Sequence, residues 1–580
     1  MTSATVLRGA PASPPPSPTA SVDQQSLDRL LEALDGGRER WARTSIPERI
    51  ALLERVMADT VAAADDWVAD AARAKGLAAD SSAVGEEWHS GPALTARTAR
   101  LLRDSLRDIE RTGRPRLPGA LRSGPDGRVV APVFPASLYD RILFPNTTAE
   151  NWMPPGRSAD EVLAEQAWAY TEPRPEPVVE LVLGAGNIAS LAPRDVLYSM
   201  FVENRVALLK CNPVNDYLAP HWERSFKALI DFGVLRIVTG DAAVGAYLTR
   251  HPHVGHIHIT GSDKTYDAVV FGPGDEGAQR KTRGERLVST EVSAELGNVS
   301  PVVVVPDRWS ASDIRYQAQH VATMLAHNAG FNCLTARVIV TAAAWPQREQ
   351  FLDAVEAALA TLPPRSAYYP GAADRHGAFM EAHPQARCIG RAGEGQLPWT
   401  LVRGVDPNAT DDPVFTTEPF CSLMAETALP ADSPAAFLDK AVAFCNDVLW
   451  GTLSGAVLVK RRRDPQVRAA VERAERDLRY GSVCVNAWQG LAFVTSANSW
   501  GAYPGHTDED IQSGRGVVGN TYMLRDPEKS IVRGPFRSRP RPVWFAGHKN
   551  GLPALKALTQ FEAHPSPGAL ARLFAAALRP

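Results

Sequence analysis

From about residue 26 to residue 106, apolar residues return at three- and four-residue steps, as in "SLDRLLEALDGGRERW" and "RIALLERVMADTVAAADDWVADAARA", with charged residues between them. That is the period of an amphipathic helix, so the chain is expected to open with a helical lead-in. Residues 113–175 break the pattern with Pro and Gly ("GRPRLPGALRSGPDG") and are expected to wrap a surface rather than form a core layer. After Pro177 short β-branched runs alternate with helical stretches: "VVELVLG", "RVALLKCN", "LRIVTG" and "VGHIHITGS", then "SPVVVVP", "ARVIVTA", "SGAVLVK" and "GSVCVN". Strands of this length separated by helices predict parallel sheets covered on both faces, hence two α/β domains in series.

The content of apolar residues, 44 %, and of charged residues, 22 %, is that of a globular protein with a large core, and a net charge of −3 gives no reason to expect nucleic acid as a partner. The short basic run "KRRRD" (460–464) reads as a solvated loop or helix start. Residues 1–25, rich in Pro, Ser, Ala and Thr without an apolar core, read as a disordered tail, and no stretch has the length of a membrane span, so a cytoplasmic location is expected. Six cysteines without paired spacing are expected to be free thiols, and no metal site is expected.

One cysteine stands apart. In "AHNAGFNCLTARVIV" (326–340), Cys333 follows a polar, glycine-containing segment and precedes a strand, where a small apolar residue would pack as well. "VVELVLGAGNIA" carries Gly184, Gly186 and Ala189 in the G-x-G-x-x-A order of a dinucleotide loop, but the next strand ends in Lys210, with no carboxylate to hold a ribose, so that fingerprint fits only in part. Six motifs in order fit better: Asn187, Lys210, Thr260-Gly261-Ser262, Glu295-Leu296-Gly297, Asn328-x-Gly330-x-x-Cys333 and Glu418-x-Phe420. In these residues, over about 175 to 535, the chain resembles the aldehyde dehydrogenase superfamily.

The resemblance implies two Rossmann-like α/β domains with a small β-ribbon for oligomerisation. It makes Cys333 the nucleophile, Glu295 the base for deacylation and Asn187 an oxyanion donor, a kind of group worth about 3 kcal/mol of barrier. Lys210, Thr260, Gly261, Ser262, Glu418 and Phe420 would bind NAD or NADP. Pro213 stands where the family usually has a ribose-binding Glu, which leaves both cofactors open, and Phe331 replaces the usual Gln before the cysteine, at the expected substrate mouth. Glu291, on the same strand face as Glu295, is the rival base, and Cys421 the rival nucleophile. Trp488, Phe493 and Trp500 suggest an aromatic substrate pocket.

The expected organisation is a cofactor domain from 26–157 and 177–297, a ribbon from 158–176 and 515–535, a catalytic domain from 298–490, a return to the cofactor domain at 491–514, and an extension, 536–580, without a counterpart. Residues 272–290 read as an insertion. Pairing of the ribbon with a partner sheet would give a homodimer or homotetramer. Three other functions remain: a CoA-acylating relative or acyl-CoA reductase, against which Glu295 argues; a cysteine hydrolase using His327 or the "HPHVGHIHI" cluster (251–259); and a catalytically silent scaffold.

Overall fold

A computed structural model describes residues 23–171, 174–460 and 464–578. The expected tail before residue 23 and most of the 460–464 basic run lie outside the described residues. The chain opens with the helices Gln24–Arg43 and Ile46–Ala74, and Leu94–Thr112 packs against the second. Ser45 starts the second helix by accepting from Glu48 N while the Glu48 carboxylate returns to the Ser45 N–H, a reciprocal cap that satisfies two otherwise orphaned donors. Their apolar stripes, Leu27, Leu31, Trp41, Leu53 and Trp67 among them, share a core with the first sheet.

That sheet has six strands in the order Gly514–Arg515, Glu291–Glu295, Val254–Thr260, Val179–Leu183, Val206–Lys210 and Leu235–Val238, parallel except for the first. The second has eleven. Seven run parallel from Lys529–Arg533 through Ser482–Val485, Ser454–Leu458, Ser300–Val304, Ala336–Ala342 and Leu423–Leu429 to Trp399–Val405, and antiparallel strands finish both ends.

The Pro-rich region departs from the sequence reading. Val129–Phe134 and Thr148–Trp152 are largely buried strands of the eleven-stranded sheet, not a surface wrap, so the expected grouping of residues 26–157 with the strands of the six-stranded sheet does not hold for them. Pro132 is tolerated because the register shifts between Pro132 and Phe134, a break in the ladder where a missing N–H costs little. The described part of 158–176, by contrast, has no strand; it holds the helix Ala159–Ala164 and a turn at Trp168–Tyr170. The ribbon is therefore Val129–Phe134, Thr148–Trp152 and Lys529–Arg533, and it pairs within its own chain. Ile531 and Val532, inside the expected 515–535 segment, are buried there.

The extension lies over the helix Ala311–Ala326 and the lead-in. Residues 536–546 run along the helix Ala311–Ala326, where Phe545 stacks on His320 and Ala546 N–H donates to Thr323 Oγ1 (3.0 Å). The helix Gly551–Ala563 packs on residues 84–112, and its buried Glu562 holds Arg97 Nη1 at 3.0 Å and also pairs with Arg100. The 272–290 insertion forms the helix Gly274–Arg283, tied to its neighbour by Lys281 and Asp267 at 2.7 Å.

Candidate active site

Cys333 follows a turn that only this sequence context can hold. Asn328 and Ala329 have φ of 52° and 57°, left-handed values costly for residues with a Cβ. Gly330 has φ +83°, and a Cβ there would lie 2.4 Å from the Cys421 carbonyl oxygen, so glycine is required. The turn is tied to the loop bearing Asn187: Asn328 Nδ2, Tyr368 Oη and Lys75 Nζ all donate to the Asn187 carbonyl at 3.0, 3.1 and 3.2 Å. Buried Lys75 also binds Glu87 at 2.8 Å, and Glu86 accepts from Asn328 N–H at 2.9 Å. The helical lead-in thus fixes the loops of the site, which nothing in the sequence around Lys75 announces.

Cys333 Sγ donates to Glu295 Oε1 at 3.4 Å. Burial, then the charges of Glu295 and Glu418, push the thiol well above its ordinary pKa, so it rests protonated beside an acceptor. Burial also raises the Glu295 carboxyl, with Trp500, Arg194 and the thiol pulling the other way. Glu291 is exposed at the far end of the strand. Cys421 is fully buried and its thiol is pushed up to about 11 by that burial. His327 does not pair with Cys333: its Nδ1 meets Asn332 Nδ2 at 3.1 Å and its ring packs on Trp488. His256 and His258 are buried in the six-stranded sheet.

Two cavities meet at Cys333. On one side is a crevice of about 1170 Å³ that reaches from Lys210, Asp241 and Arg250 past Gly261 and Ser262 to Glu418, Phe420, Glu295 and Cys333. On the other is an apolar chamber of about 30 Å³ among Ile188, Leu191, Leu334, Trp488, Phe493 and Val494, with Asn187 and Cys333 in its wall. Phe331 takes no part in the chamber; it packs on Tyr368, Tyr369 and Phe420, and its carbonyl accepts from Asn187 Nδ2 at 2.8 Å. Trp500 lies by Glu295 rather than in the chamber wall. Trp488 is backed by Trp544 of the extension, rings stacked at 5.1 Å.

The crevice fits a nicotinamide dinucleotide. Glu418 Oε1 is a buried acceptor with no protein partner among the described residues, and Gly297 makes room for this side chain, since a Cβ there would lie 2.2 Å from Glu418 Oε2. Lys210 brings a cation, and Ser262, which caps the helix Asp263–Val270, puts that helix start in the same crevice. Thr260 lines it too, but its hydroxyl is engaged with Asp195. Asp241 also lines the crevice, so the absence of a carboxylate at Pro213 does not free it of negative charge. Pro273 and Leu287 of the insertion form part of its wall.

This is the fold of the aldehyde dehydrogenases. Residues 218–381 match the model of the aldehyde dehydrogenase family. Similar solved structures include an NADP-dependent glyceraldehyde-3-phosphate dehydrogenase from Bacillus halodurans C-125 in complex with NADP, with 17 % identity, TM-score 0.59 and coverage of 88 % of this chain and 91 % of that one. An NAD-dependent aldehyde dehydrogenase from Sinorhizobium meliloti has 18 % identity, TM-score 0.57 and coverage of 90 % and 89 %. No curated protein matches by sequence. Among the described residues, no helix is long and apolar enough to cross a membrane.

Proposed function

We propose that the protein oxidises an aldehyde to a carboxylic acid with NAD or NADP as the acceptor, through a covalent adduct on Cys333. The observation that carries this is the position of Cys333 at the junction of the two cavities with Glu295 as its hydrogen-bond acceptor. In this reading the aldehyde carbon lies in the chamber, Cys333 gives its proton to Glu295, and the sulfur adds to the carbonyl. Asn187 Nδ2 uses one hydrogen on Phe331 O and has a second for the developing oxyanion. Lys210, Ser262, Glu418 and Phe420 would hold the dinucleotide, which when bound supplies the hydride acceptor. Once Glu295 has passed on the proton it took from Cys333, it takes another from the water that attacks the thioester, and the Cys333 thiolate leaves and is reprotonated, so that one proton per turnover remains to be shed from Glu295.

The chamber limits the acyl group. Its 30 Å³ is only two or three times the ~10–15 Å³ that one water needs, and its walls are apolar, so a short aliphatic aldehyde is the substrate class. The carboxylate beside the sulfur favours water over CoA as the thioester acceptor. Steady-state formation of reduced cofactor from acetaldehyde through hexanal, with and without CoA, tests the reading. An absolute need for CoA moves the protein to the acylating branch; no reduced cofactor with any aldehyde refutes it.

A further inference from the structure

Successive residues of a strand alternate between faces, and on Val254–Thr260 and Glu291–Glu295 one face carries His256, His258 and Thr260 beside Glu291, Ser293 and Glu295. So polar a face is unusual for a parallel sheet covered on both sides. Over it lies the helix Leu191–Phe201 with Arg194 and Asp195, both buried. The Thr260 hydroxyl donates to Asp195 Oδ2 at 2.8 Å. Its oxygen is then free to accept from His258 Nε2–H at 3.2 Å, which leaves bare His258 Nδ1 to accept from the Ser293 hydroxyl at 2.8 Å. Ser293, where the chain of contacts ends, is partly exposed. At the inner end Asp195 Oδ1 and Glu295 Oε2 are buried acceptors without a protein partner among the described residues, and Thr260, which is bonded to Asp195, is paired with Glu295 across the ladder.

We propose that Asp195, Thr260, His258 and Ser293 form the route by which the proton collected by Glu295 leaves the buried site. The proposal rests on the hydrolytic reading above, in which each turnover leaves a proton on Glu295. Outward passage starts with the donors turned towards solvent and the proton of Asp195 shared with Thr260. Glu295 gives its proton to Asp195 Oδ1, Asp195 Oδ2 gives one to Thr260, Thr260 to His258 Nε2, His258 Nδ1 to Ser293, and Ser293 to solvent. One O–H bond is lost on Glu295, one proton appears in water, and every intermediate group ends with as many protons as it began; the donors now point inward, and the route is reset by rotation of the hydroxyls and of the protonated Asp195 carboxyl and by tautomer exchange of His258, which loses its Nε2 proton to water and regains one at Nδ1 from water.

The groups around the route suit it. Burial, then the Glu295 charge, raises the Asp195 carboxyl well above the usual range, so it holds a proton readily. Burial brings His258 down to about 4 against the pull of Glu180, keeping the ring neutral with one donor and one acceptor. The other charged or titratable groups facing it are Arg194 and Tyr198 on the covering helix, and Glu180, His256, Glu203 and Arg205, which pair among themselves at the far end of the face.

His258→Gln and Asp195→Asn test the route, because both amides can still bond their neighbours but cannot relay a proton. With a short aldehyde and excess cofactor, the expected result is a pre-steady-state burst of reduced cofactor as in the wild type, followed by turnover at least tenfold slower in dilute buffer. Added imidazole should restore that slow phase. Unchanged turnover, or a slow phase that imidazole does not touch in a variant with wild-type burst and thermal unfolding, overturns the route. If His258→Gln fails to fold, Ser293→Ala at the partly exposed end takes its place under the same criteria. A wild type that forms no reduced cofactor from any aldehyde refutes the proposed reaction instead, before any variant is compared.

Discussion

Cys333 Sγ and Glu295 Oε1, 3.4 Å apart, come from different domains: the sulfur stands before the Ala336–Ala342 strand of the large sheet and the carboxylate ends a strand of the small one. The pair exists only when the two sheets are docked. Cys333→Ala should abolish aldehyde oxidation while cofactor binding, followed by fluorescence titration, stays within about twofold, because the thiol touches the crevice only at its end. Activity above a few per cent of wild type would assign the nucleophile elsewhere.

Glu295→Gln removes the acceptor of both proton transfers. In stopped-flow absorbance at 340 nm the first turnover of reduced cofactor and the steady state should both slow by about 10²–10⁴-fold, since the amide can take a proton from neither Cys333 nor water. Normal steady-state turnover would remove Glu295 from deacylation.

Glu418 gives a pH signature. Burial, with Arg337 opposing, raises its carboxyl to about 7. Cofactor binding that uses the carboxylate as acceptor should therefore weaken as pH falls through about 7, and Glu418→Gln should flatten that dependence in calorimetric titrations. For the ligand-free protein the sign reverses: a carboxyl raised on folding favours the folded state below its ordinary value of 4.5, and that contribution is lost as pH rises through about 7. The same substitution should therefore flatten the loss of thermal stability across that window.

Trp544→Ala removes the ring behind Trp488. Release of Trp488 should enlarge the chamber, raising kcat/KM for hexanal relative to acetaldehyde by about tenfold, at a cost of about 1–3 kcal/mol in stability, since Trp544 is only partly buried. An unchanged length preference would place the acyl group elsewhere.

Because the ribbon strands pair within their own chain, light scattering at micromolar concentration should show an active species near the 62.7 kDa monomer mass. A stable dimer would mean that another surface joins the subunits.

The sequence carried much of the site because short motifs fix local geometry: the glycines at 297 and 330 are there for a carboxylate and a carbonyl that a Cβ would strike. The alternation that marks strands also put Glu291 and Glu295 on one face, but only burial along the strand separates them. What could not be read depends on distant approach. Lys75 meets Asn328 across 253 positions. Asp195 gains its setting from a sheet face whose histidines looked like a loose cluster. The first segment of the ribbon, 158–176, was misplaced because Pro132 and its flanks disguise strand residues, while the strand Lys529–Arg533 does lie within the expected 515–535.

The pairing of that strand also has a consequence in time. Lys529–Arg533 is not an edge but an interior strand, between Thr148–Trp152 and Ser482–Val485, and it is the last strand of the described residues to leave the ribosome. Until it arrives, the hairpin made from residues 129–152 has no neighbour on its inner side, while some four hundred later residues are synthesised at about 5–20 per second. The nascent chain thus spends tens of seconds with an unmatched sheet margin. Joining contacts so far apart in sequence is a slow class of closure, so chaperone dependence and aggregation during expression, more than equilibrium stability, should govern the yield of active protein.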